Sequence, residues 1–147
     1  HEVLVENADD EESITNIGSH LFEDCVNLSY IELTDSITSI GNYAFADCTS
    51  LSSIELPDSL TTIGNRAFRN TSFNVLPSGI GLISIGDSAF ARCKNLSSVT
   101  ISDSVITVGN SAFSDCDTLT DVTIGNNAVS IGNYVFSNCK NFKTIRN

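Results

Sequence analysis

Five cysteines, two histidines and eighteen acids are the side chains of this sequence that could do chemistry. Cys25, Cys48, Cys93, Cys116 and Cys139 fall at intervals of 23, 45, 23 and 23 residues. If one cysteine sits on each of several stacked strands, neighbours lie about 4.8 Å apart. That is within disulfide reach. Side chains that point in parallel into a core do not face one another, however, and an odd count cannot pair fully. The expectation is therefore buried free thiols. No Cys-x-x-Cys spacing and no histidine partner supports a zinc site. The redox compartment stays open.

Catalysis finds little support. The histidines are His1 and His20, so neither a Ser–His nor a Cys–His system is apparent. The paired acids Asp9, Asp10, Glu11 and Glu12 stand in an irregular segment, 6–13, and read as a solvated cap. Asp35, Asp58 and Asp103 form one recurring acid column, and Asp24, Asp47 and Asp115 another. A calcium ion could relieve repulsion within such a column, but no D-x-D-x-D spacing exists and solvated turn acids are the plainer reading. The glycines are dispersed, so no phosphate loop forms. The sequence predicts no enzyme, no cofactor and no metal. Asn27-Leu28-Ser29, Asn70-Thr71-Ser72 and Asn95-Leu96-Ser97 are glycosylation sequons, which matter only in a secreted chain of a eukaryotic host.

The cysteines and glycines belong to a repeat. Ile/Val-Gly recurs at Ile17-Gly18, Ile40-Gly41, Ile63-Gly64, Ile85-Gly86, Val108-Gly109 and Ile131-Gly132. A Phe follows four residues after each Gly: Phe22, Phe45, Phe68, Phe90, Phe113 and Phe136. The Cys comes three residues later, except in the third copy, which has Thr71. An L-x-x-I-x-L run then appears at Leu28/Ile31/Leu33, Leu51/Ile54/Leu56, Leu96/Val99/Ile101 and Leu119/Val122/Ile124. Its alternation is that of a strand with one buried face. One such strand cannot bury that face alone, but stacked copies make a continuous parallel sheet and core. The Gly suits a close or positive-φ backbone position. Ser19, Asn42, Asn65, Asp87, Asn110 and Asn133 come next and are good N-caps. They predict a single helical turn over each A-F-x-x-C stretch.

This pattern, I-G-x-x-A-F-x-x-C-x-x-L-x-x-I-x-L in six copies, closely resembles the BspA-type (TpLRR) leucine-rich repeats. The resemblance covers about Ile14 to Ile145. It implies an α/β repeat solenoid, with a parallel β-sheet on the concave face and short helical turns on the convex face. The expected unit is one domain over 1–147, with repeats starting near 17, 40, 63, 85, 108 and 131. The third copy departs: it lacks the Cys, places Phe73 in the Leu slot and lengthens the return through Pro77, Gly79 and Gly81. A local bulge is the plain reading and a site shaped by the irregularity the sharper one. Family members of this kind are parts of cell-surface or secreted proteins linked to adhesion, so the implied place is extracellular or the cell surface.

Composition narrows the partners. The net charge of −11 argues against nucleic acid and anionic membrane surfaces. No apolar run is long enough for direct membrane insertion, and the chain reads as soluble. It opens on His1 and contains no Met, which reads as a mature product or a cut piece. Residues 1–65 hold 13 of the 18 acids and no Lys or Arg, so one end is strongly negative. The resemblance points to the concave sheet as the binding face, for a protein or glycan ligand. The outward strand positions there are Ser29, Tyr30, Glu32; Ser52, Ser53, Glu55; Ser97, Ser98, Thr100; and Thr120, Asp121, Thr123. Lys143, Thr144 and Arg146 continue that face. Tyr30 is its one aromatic anchor. The alternative is end-to-end assembly with further copies of the chain. There, Lys140, Lys143 and Arg146 at the last rung would meet Asp9, Asp10, Glu11 and Glu12 at the first.

Overall fold

The inward Ile/Val of each repeat sits beside a residue of low β-propensity, so one copy makes only a short strand. Stacking supplies the rest. The computed structural model describes residues 2–5 (backbone only), 13–77 and 79–147. Its architecture is a parallel β-solenoid in which each repeat is one turn.

Two sheet faces run along it. The return face is a continuous six-stranded sheet of two-residue strands. These are β2 (Asn16–Ile17), β4 (Ser39–Ile40), β6 (Thr62–Ile63), β7 (Ser84–Ile85), β9 (Thr107–Val108) and β11 (Ser130–Ile131). Ile17, Ile40, Ile63, Ile85, Val108 and Ile131 stand in register along it.

The strand face carries the longer strands, as two three-stranded parallel sheets. One is β1 (Glu2–Val5), β3 (Tyr30–Leu33) and β5 (Ser53–Glu55); the other is β8 (Ser98–Ile101), β10 (Asp121–Ile124) and β12 (Thr144–Arg146). Apart from β1, the strands begin two residues after the Leu of the repeat (Phe142 before β12). In the third copy the strand shrinks to one bridge, Val75 to Ser98. The reason is local. Phe73 is buried in the Leu slot and packs edge-on against Phe68 at 5.5 Å. Pro77 then removes a ladder donor.

The expected helical turns are absent, and with them the α/β class: among the described residues there is no helix. The arc from Gly to Cys contains two left-handed residues four positions apart, such as Tyr43 (φ 57°) and Asp47 (φ 59°). A right-handed helix cannot pass through them. Alternate N–H groups instead point along the solenoid: Tyr43, Phe45 and Asp47 donate to Asn65, Ala67 and Arg69 carbonyls at 2.9, 2.8 and 2.8 Å. The expected N-caps serve the neighbouring rung as well. Asn42 Oδ1 accepts the Asn65 N–H at 2.8 Å, and Asn110 Oδ1 the Asn133 N–H at 2.8 Å.

Among the described residues no glycine has positive φ. Close approach is the requirement: a Cβ on Gly109 would stand 2.5 Å from Asp87 N and Gly86 C.

The core is one cluster running through the rungs. Phe22, Phe45, Phe68, Phe90, Phe113 and Phe136 stack face to face at 5.2 to 5.7 Å between centroids. The four central rings are fully buried. Phe142 fills the Leu slot of the last rung and stacks on Phe136 at 5.6 Å.

Candidate functional site

Parallel pairing turns the outward positions of the strands into rows. Tyr30 and Ser53 stand in register, as do Glu32 and Glu55. Past the third copy, Ser98 pairs with Asp121 and Thr100 with Thr123. Ile31, Ile54, Val99 and Val122 between them are buried, which fixes the other side chains outward. Ser29, Ser52, Ser97 and Thr120 form a third row, joined by Ser52 N–H to Ser29 O at 3.3 Å and Thr120 N–H to Ser97 O at 2.9 Å. All twelve expected positions thus lie on one face, exposed or half-buried.

The face is graded in charge. Glu32 and Glu55 stand side by side at one end, Thr100 and Thr123 follow, and Lys143 and Arg146 stand at the other end. Asp121 is engaged twice, by the Thr120 hydroxyl at 2.7 Å and by Arg146 at 3.6 Å. Sequence reading missed Val75. It interrupts the polar row beside Ser98 and is 59% exposed, so the irregular copy puts a bare apolar side chain in the middle of the face.

The basic residues of the assembly reading are Lys140, Lys143 and Arg146. Lys140 pairs with Asp117 at 3.1 Å and Arg146 with Asp121, both within the chain. Of the three, only Lys143 lacks an ion-pair partner among the described residues. Asp9, Asp10, Glu11 and Glu12 lie outside the described residues. The last rung leaves Tyr134 77% and Ile145 55% exposed.

The thiols are free: Cys48, Cys93 and Cys116 are buried, Cys25 and Cys139 half-buried. Each of the four later thiols donates to the Phe carbonyl of the preceding rung, as Cys93 does to Phe68 at 3.3 Å. Thr71 takes the place of the missing thiol, and its hydroxyl donates to Phe68 O at 2.9 Å. Burial pushes Cys48 and Cys93 up to about 11. Cys116 is also pushed up, by its hydrogen bond with Cys139 and then by burial. Thiols so protonated are poor nucleophiles.

Among the acid columns, Asp47 pairs with Arg69 at 3.1 Å and accepts Asn70 at 2.8 Å. Asp115 accepts Asn138 at 3.0 Å, and Asp103 accepts the Asn126 N–H at 2.8 Å. Among the described residues no three His, Cys, Asp or Glu side chains group as metal ligands. No helix there is long and apolar enough to cross a membrane.

Solved structures of similar shape are leucine-rich-repeat proteins. The T. pallidum protein TpLRR is 30% identical, with a TM-score of 0.85 over 96% of this chain and 77% of its own. A leucine rich cell surface protein of Faecalibacterium prausnitzii is 25% identical, with a TM-score of 0.65 over 99% of this chain and 47% of its own. The pneumococcal vaccine antigen PcpA is 26% identical, with a TM-score of 0.62 over 84% of this chain and 30% of its own. This chain therefore spans about three quarters of the first and less than half of the other two. No curated protein matches the sequence. The family model of the BspA type leucine rich repeat region matches in six copies, over residues 5–80 and 75–146, and the chain belongs to that family.

Proposed function

We propose that the chain is a non-enzymatic binding module of a cell-surface or secreted protein, and that a protein or glycan ligand lies across its strand face. The observation that carries this reading is the in-register polar rows around one exposed Val75 and one Tyr30. Such a face offers hydroxyls and carboxylates at fixed rung spacing. It offers few apolar anchors, so it suits a polar ligand engaged at many weak points, as in adhesion. The cell surface protein among its structural relatives supports the location. The test is binding of the purified chain to an array of glycans and extracellular-matrix proteins. The parent should bind at least one of them. The variant Tyr30→Ala, Glu55→Lys, Thr100→Lys, Thr123→Lys should bind none while melting as the parent does.

End-to-end assembly is the second reading. The exposed Ile145 on the last strand and the half-buried Phe136 and Phe142 of the last rung favour it. With Lys140 and Arg146 already paired, such a contact is apolar and insensitive to salt. Either a further rung or a second copy would meet that surface.

A further inference from the structure

We infer that the arc side of the solenoid carries a second binding site, for an oligosaccharide bearing a carboxylate or sulfate group. Three of the seven basic residues, Arg66, Arg69 and Arg92, line one open trough of about 450 Å³ there. They come from two successive rungs.

The trough exists because of one column. Its residues run His20, Tyr43, Arg66, Ser88, Ser111, Tyr134, each in the left-handed conformation. Two small residues therefore follow three bulky ones, and the space above Ser88 and Ser111 is open. Its cationic wall is already built. The Arg66 guanidinium lies 5.3 Å from the Tyr43 ring centroid and donates to the Tyr43 hydroxyl. Tyr43 is itself stacked on His20 at 4.8 Å. Arg69 is held by Asp47 at 3.1 Å. The Arg92 guanidinium has no hydrogen-bond or ion-pair partner among the described residues. A guanidinium fixed in this way loses little freedom when it takes up an oxyanion in a two-pronged hydrogen bond.

The lining also decides the ligand class. Ser88, Arg92 and Ser111 spend their N–H groups on the next rung, each at 2.8 Å, so an added peptide strand finds no backbone donors there. Around the arginines stand the hydroxyls of Ser88, Ser111 and Ser114, with no large aliphatic side chain. The ligand must be polar throughout and carry an isolated negative group. Asp115 at the edge disfavours a dense polyanion. A sugar with one acidic substituent among hydroxyls meets all these terms.

The experiment is calorimetric titration at low salt with four probes: a chitin tetrasaccharide bearing a single sulfate, a hyaluronan tetrasaccharide, a neutral chitin tetrasaccharide and a polyglutamate peptide. At least one acidic sugar should bind, and which one names the anion. Arg66→Gln with Arg92→Gln removes two charge-assisted contacts and should weaken it at least about tenfold, the loss expected for even one of them. Ser111→Tyr fills the gap while keeping every arginine, and should block binding too; Tyr43 and Tyr134 show that the column accepts the ring. Lys94→Gln should bind as the parent does. The inference fails if neither acidic sugar binds, if the neutral sugar or the peptide binds as well as the acidic one, or if both trough variants bind as the parent does. The strand-face variant above should keep this binding, so the two sites stand or fall separately.

Discussion

Asn65 Oδ1 accepts the backbone N–H of Asp87 at 2.8 Å, and Asp87 Oδ1 accepts the N–H of Asn110 at 2.7 Å in turn. Residues that would cap a helix within one repeat instead tie each repeat to the next. Asn65→Ala removes one such tie. It should cost about 1 kcal/mol, the usual net worth of one hydrogen bond. Denaturant unfolding measures this. Far-UV circular dichroism of the parent should show sheet and no helical signature.

Glycine in this solenoid is a matter of space. A Cβ on Gly109 would meet backbone atoms at 2.5 Å, whereas one on Gly18, in the first rung, meets nothing within 4 Å. Gly109→Ala should destabilise the fold by about 1–3 kcal/mol or more, the range for overpacking. Gly18→Ala should stay within about 0.5 kcal/mol of the parent. Equal melting temperatures for the two variants would contradict the account.

The Phe column carries the core. Phe90 is fully buried between Phe68 at 5.3 Å and Phe113 at 5.5 Å. Phe90→Ala should cost about 3–5 kcal/mol. A fall in melting temperature of only a degree or two would show that the rung closes over the gap.

The thiols give the fold a pH dependence. Cys48 and Cys93 ionise near 11 in the folded chain, against 9.0 for a free thiol. Their contribution is complete below about pH 9. Above it the unfolded chain loses the proton and the folded chain keeps it, so stability falls as pH rises toward 11. Each thiol accounts for about 1.4 kcal/mol per pH unit in that window. Replacing both with Ala should flatten the decline. Denatured, unreduced protein should titrate near five free thiols.

What could be read from the sequence was whatever points inward. Ile54, Phe68 and Cys93 each recur because the core has the same shape at every rung, so parallel stacking follows from the columns. The arc was misread because its first left-handed column holds Tyr43, Arg66, Ser88 and Ser111, none of which advertises that conformation. The second column, Asp24, Asp47, Asn70, Asp115 and Asn138, did carry a local signal, since Asp and Asn favour positive φ, and it was read as turn acids instead. Val75 was missed because Phe73 and Pro77 break the register that located the other outward residues. The ion pairs were recoverable. Lys140 lies 23 residues after Asp117, and Arg69 lies 22 after Asp47. In a solenoid of this period, one repeat apart in sequence means side by side in space. Arg92 stands one rung on in the column of Asn70, next to that of Arg69, and the two arginines line one trough.

The central claim is that the strand face binds. The measurement that tests it most directly is the affinity of the strongest array ligand for the parent and for Thr100→Lys with Thr123→Lys. Both residues are exposed and in register, and neither contributes to the core. The account predicts at least about a tenfold loss of affinity, about 1.4 kcal/mol, with the melting temperature unchanged. Undiminished binding by that variant would contradict it.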